Sequence, residues 1–146
     1  MFEDGGMRKK HGVILAIIGY VVFFFCMEGW GAEWKSIGQT DTGEHFYDAA
    51  GITRLPNTIV RVWEKTIYTD KGREDFVERF KQLKFMNMNC SINLWEYNCT
   101  EKKVRVLLIF YYSEDGMSLG TVTVPSDWNF IAPQSLAEDL FKAVCK

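Results

Sequence analysis

Hydrophobic positions along residues 33–124 recur mostly with a period of two, broken once by a helical period. Residues 33–39 (EWKSIGQ) read as a first strand, 40–43 (TDTG) as a turn, and 45–49 (HFYDA) as a second strand closing a hairpin. Residues 54–57 read as a loop. From Thr58 to Thr69 β-branched and aromatic residues dominate, which predicts a long strand. Between Asp70 and Leu83 the period changes: Phe76, Val77, Phe80 and Leu83 make one stripe of a helix, with charges opposite. Strand character returns over 89–98 and 103–112, joined by a turn at Cys99–Lys102. A turn at Glu114–Gly116 leads to a further strand over 119–124. Ser135 and Glu138 then form S-x-x-E, a capping box, with Pro133 just upstream and a buried stripe of Leu136, Leu140, Phe141 and Val144. Strands with short turns, an inserted helix and a terminal helix predict an α+β domain with an antiparallel sheet of about six strands.

The first 32 residues follow another rule. Arg8, Lys9, Lys10 and His11 precede an apolar run from Val13 to Met27, and small residues follow at Gly29, Gly31 and Ala32. This is the layout of a secretory signal. The run is about 15 residues where a membrane-spanning helix needs about 20. Cleavage is expected between Gly31 and Glu33. A retained anchor, or a lipid anchor at Cys26 behind a poorly matching FFF, fits less well. The expected division is a signal peptide over 1–32 and a domain over 33–146, with contact to the membrane only through the signal before cleavage. Periplasm or outer cell surface is the expected location.

Composition narrows the function. The chain has 146 residues with 47% hydrophobic, 15% aromatic and 25% charged, a globular balance rich in strand formers. With 17 basic and 19 acidic residues its net charge is −2, so it lacks the basic footprint of a nucleic-acid partner. No G-x-S-x-G, H-E-x-x-H or glycine-rich phosphate loop occurs, and no catalytic residues are assigned. His45 and Asp48, three apart on a strand, point to opposite faces and make a poor base and orienter. Without a CxxC, and with His11 and His45 the two histidines, neither a metal nor a cofactor is expected.

Three cysteines follow the signal. Cys90 and Cys99 lie roughly 30 Å apart along an extended strand, beyond the ~7 Å Cα separation of a disulfide. Cys145 is then the partner for one of them. Cys99, at a turn where a helix end can dock, is the preferred choice. Cys90 is left either buried and free or linking two chains.

Strand alternation also divides the sheet. Val60, Val62, Ile92, Leu94, Val104, Val106, Leu108 and Phe110 are expected to face the helices. Arg61, Trp63, Lys65, Trp95, Tyr97, Arg105, Leu107, Ile109 and Tyr111 fall on the opposite parity, too apolar a set to be simply solvated. Arg61, Trp63, Trp95, Tyr97, Arg105 and Tyr111 are therefore the candidate binding residues, because aromatics with arginine are what interface hot spots use. The same face would also serve as a homo-oligomer contact, as in a homodimer, or be covered by the inserted helix or loops.

Four segments together resemble the bacterial surface-adhesin protein E family: EWKSIG at the start of the domain, ITRLPNTIVRVWEK from residue 52, EYNCTEKKVRV around Cys99, and WNFIAPQSLAEDLFKAVC from Trp128 to Cys145. The last is the most specific, combining Trp128, Ile131, Pro133, Ser135 and the terminal cysteine. The resemblance implies an antiparallel sheet with the terminal helix lying across it, tied down by a disulfide that matches the Cys99–Cys145 choice. It also implies a periplasmic or surface location and a binding role without catalysis. Cys90 is an extra cysteine against that pattern. The resulting expectation is an exported, adhesin-like binding module for a protein or envelope component. The alternative is a structural envelope subunit that self-associates through its second sheet face.

Overall fold

The computed structural model describes residues 31–124 and 127–146. The expected leader, with Cys26, lies outside the described residues apart from Gly31 and Ala32. The strands are β1 (Trp34–Gln39), β2 (Gly43–Asp48), β3 (Thr53–Leu55), β4 (Ile59–Tyr68), β5 (Met88–Asn98), β6 (Lys103–Ser113), β7 (Ser118–Thr123) and β8 (Asn129–Phe130). Helix α1 (Asp70–Phe80) follows β4, a 3-10 turn spans Leu83–Asn87, and α2 (Leu136–Val144) follows β8.

The sheet order is β1-β2-β4-β5-β6-β7, every neighbouring pair antiparallel. The α+β expectation holds. Two short strands were not expected. β3 pairs with the first half of β4 along the edge that β2 takes in its second half, and β8 pairs with Lys103 and Val104 of β6 beside β7. β3 occupies part of the segment read as a loop, because Asn57 and Thr58 both take positive φ (63° and 59°) and reverse the chain within three residues.

Helix α1 starts where expected and stops three residues early. Thr69 caps it by accepting from the Gly72 N–H at 3.1 Å, while its own hydroxyl donates to the Asp41 carbonyl at 2.8 Å. The first turn of α1 thus sits on the β1–β2 turn. Gly72 is required there, since a Cβ would meet the Thr42 carbonyl oxygen at 2.0 Å. At the far end Lys81 turns left-handed (φ 54°) and its N–H closes on the Val77 carbonyl. Phe76 and Val77 pack inward as expected. Phe80 and Leu83, expected in the same stripe, are 49% and 79% exposed, and the 3-10 turn buries Phe85 instead.

Helix α2 begins at its capping box in a shifted form. Ser135 Oγ accepts from the Glu138 N–H at 3.2 Å, and Glu138 reaches back past the cap to the Gln134 N–H at 2.9 Å. Leu140 and Val144 are its buried residues, each worth about 2 kcal/mol in burial. Cys145 at its end bonds Cys99 in the β5–β6 turn, with the Cα atoms 5.6 Å apart. Closing a span of 46 residues restrains the unfolded chain by about 4 kcal/mol on the loop-entropy account.

Both helices lie on one face. Under α2, Leu140 and Val144 pack on Val60, Val62, Tyr97 and Val104, with Tyr47 and Trp95 alongside. Beneath α1 and the 3-10 turn, Phe85, Met88 and Tyr111 pack with Tyr68, Phe76, Val77 and Ile109. A polar row joins these two clusters. There Glu64, 2% exposed, accepts from Thr66 at 2.7 Å and from Asn93, and lies 3.2 Å from His45 Nδ1.

Candidate interaction surface

The face turned away from the helices follows from the pairing register. Residues directly opposite in an antiparallel ladder share a face. Val60 opposes Tyr97 and Val62 opposes Trp95, so these four belong to the helix side. On the open side Arg61 opposes Glu96, Trp63 opposes Leu94, and Lys65 opposes Ile92. In β6 the partners are Arg105 for Glu96, Leu108 for Leu94, and Phe110 for Ile92. Leu107 is an extra residue: Trp95 pairs with Val106 and Leu94 with Leu108, and this bulge reverses the alternation of β6 beyond it.

The six candidate binding residues therefore divide. Arg61, Trp63 and Arg105 stand together on the open face. Trp95, Tyr97 and Tyr111 lie on the helix side, where Tyr97 is fully buried and Tyr111 is 8% exposed. The parity expectation fails for two reasons. The β5 register pairs Trp95 and Tyr97, not Ile92 and Leu94, with Val62 and Val60, and the Leu107 bulge brings Ile109 and Tyr111 inward while sending Leu108 and Phe110 out. Within β5 both parities are apolar enough to face a core, so alternation alone leaves the phase between strands unset.

Three rows cross the open face. The first is ionic. Glu96, 2% exposed, receives Arg61 Nε and Nη2 on one carboxylate oxygen (3.0 and 2.6 Å) and Arg105 Nε and Nη2 on the other (2.9 and 2.7 Å). Burial alone would raise the Glu96 pKa. The hydrogen bonds and charges of the two arginines outweigh it and hold the carboxyl below its ordinary value. The Trp128 ring lies 4.4 Å from the Arg105 guanidinium carbon, a cation–π contact. The second row is Trp63, Leu94 and Leu108. In the third, Lys65 places its ammonium 4.5 Å from the Trp34 ring and 5.6 Å from Phe46, and burial lowers its pKa. Phe110 closes this row with its ring 6.1 Å from that of Trp63.

Glu96, Phe110 and Trp128 are members of the surface that alternation did not select. Glu96 had a readable signal: a carboxylate in the middle of an apolar strand, with an arginine in each flanking strand. Cys90 also lies on this face, opposite Ile67 and Tyr112, half-buried and outside the disulfide. Burial pushes its thiol pKa up, against a smaller pull from Lys65, which keeps it in the unreactive form at neutral pH.

On the helix side His45 is held at Nδ1 by Thr66 Oγ1 (3.0 Å) and Glu64, and at Nε2 by Thr40 (3.4 Å). Asp48 faces elsewhere and accepts from the Glu33 and Ala50 N–H groups. Among the described residues no group of three or more His, Cys, Asp or Glu side chains is arranged to hold a metal ion. No helix among them is long and apolar enough to cross a membrane.

Among the described residues the architecture is a small antiparallel sheet domain closed on one face by two helices and a disulfide and covered by no helix on the other. Residues 34–146 match the surface-adhesin protein E family, and the chain belongs to it. The match begins at Trp34, the first residue of β1. Neither a curated protein nor a solved structure gives a significant match to the chain.

Proposed function

We propose that this chain is an exported, non-catalytic binding module that engages a protein or envelope component through the open face of its sheet. Family membership supports the adhesive role and a periplasmic or surface location. The observation that carries the choice of face is the coincidence of Trp63, Phe110 and two partly exposed arginines on the side that no described helix covers. Aromatic and arginine side chains on a flat scaffold supply large contact area and directional hydrogen bonds at low entropic cost. Disulfide closure of the opposite side keeps that scaffold rigid.

Site-directed photo-crosslinking in the producing cells tests this. A benzophenone side chain at position 110 is expected to trap an envelope component, whereas one at the exposed Leu83 on the helix side traps none. An adduct of twice the chain mass from position 110 would favour the self-associating subunit. Absence of any adduct from position 110 would remove the reading.

A further inference from the structure

We propose that the Arg61–Glu96–Arg105 row, backed by Trp128, is a carboxylate-reading subsite that takes an acidic segment of a partner protein. This rests on the open face being the binding face and adds the chemistry of what it selects.

The charge balance of the face is the first support. On the open side of β2, β4, β5 and β6 the charged residues are Arg61, Lys65, Lys103 and Arg105 against Glu44, Asp48 and Glu96, a balance of +1 in a chain that carries −2. The excess positive charge lies at the arginine row, which attracts anionic partners. The second support is how the arginines are held. Each uses Nε and Nη2 on Glu96, and among the described residues neither Nη1 has a hydrogen-bond partner. Their side chains remain 40% and 32% exposed. Glu96 and the Trp128 ring fix the two guanidinium planes before any ligand arrives, so little rotamer freedom is lost on binding. The row retains one net positive charge.

Geometry favours a peptide over a lipid surface or nucleic acid. Lys65 is 8% exposed against Trp34 and Phe46, and Lys103 is engaged by Glu101 at 2.8 Å. Two adjacent guanidinium groups are what remain open. That is the footprint of one or two carboxylates, where an anionic membrane is read by clusters of about four to eight cations. One row away, roughly 7 Å along the strands, Trp63 and Leu108 offer apolar contact. An acidic stretch with an apolar neighbour fits both rows.

The test is fluorescence anisotropy of labelled decaglutamate titrated with the full, disulfide-bonded chain, with decalysine as control. Decaglutamate binding that weakens between low and physiological salt is expected, with none to decalysine. R61Q/E96Q/R105Q removes all three charges together, so no carboxylate is left buried alone, and is expected to bind at least tenfold more weakly. E96Q raises the net charge of the row and is expected to bind several-fold more tightly. Equal binding by the wild type and the triple variant would overturn the assignment. So would binding to phosphatidylglycerol vesicles without binding to decaglutamate. If decaglutamate fails while the probe at position 110 still traps a partner, the subsite falls and the binding face stands; if both fail, both fall.

Discussion

Glu64 and Glu96 are equally buried, at 2% exposure, on neighbouring strands, and they face opposite sides of the same sheet. On the helix side Glu64 is satisfied mainly by short neutral groups, Thr66 and Asn93, with His45 beside it. On the open side Glu96 is satisfied by two long cationic side chains whose far ends remain in solvent. The neutral network spans a gap between two apolar clusters and is complete within the domain. The ionic row is complete only at its carboxylate. A residue's burial therefore says little about its role; what its partners leave exposed says more. The wider faces repeat the contrast: among the described residues one is closed by two helices and a covalent bond and the other by side chains alone.

Removing the covalent closure should have the largest effect. C99S/C145S is expected to lose about 4 kcal/mol in urea unfolding, with the rows of the open face intact. An unchanged midpoint would mean that packing of Leu140 and Val144 alone seals the helix side.

Next comes a direct contrast of the carboxylates. R61Q/R105Q leaves Glu96 buried without cations. It is expected to cost about 2 kcal/mol, below the range for fully buried pairs because the arginines are partly exposed. E64Q replaces one hydrogen-bonding group by another of the same shape and is expected to cost about 1 kcal/mol. If E64Q proves the more damaging, the neutral network is the more finely set of the two and the comparison reverses.

The smallest effect is on pH dependence. The Glu96 carboxyl is held below its ordinary value of 4.5 in the folded chain. The unfolded chain thus takes up the proton first, and stability present above about pH 4.5 is lost as pH falls through the lower folded value. Comparing acid unfolding of the wild type with R61Q/E96Q/R105Q isolates this contribution, expected at about 1 kcal/mol or less. Identical acid limbs would show that the two arginines do not shift the carboxyl.

Much of this fold is legible along the chain because local chemistry settles it. β-branched runs mark β4 and β6, Thr69 and Ser135 mark helix starts, and the cysteine at a turn finds the one at a helix end. What alternation cannot supply is the relation between strands. Trp95 and Leu94 are both good core residues, and only the β4–β5 register decides which turns inward. The α1 boundary was similarly hidden, since Phe80 and Leu83 continue an apolar stripe that the left-handed Lys81 interrupts. The candidate surface was half readable: Arg61, Trp63 and Arg105 were found from strand parity, while Phe110 lay beyond an extra residue that no turn signal announces.

That extra residue has a consequence for how such a surface changes over generations. Deleting Leu107 would close the bulge, so that Val106 and Leu108 become neighbours in an unbroken alternation and Tyr111 stays inward and Phe110 outward. A one-codon loss at this point is thus silent for the faces, and the bulge marks a place where the chain can shorten without rewriting the exposed surface.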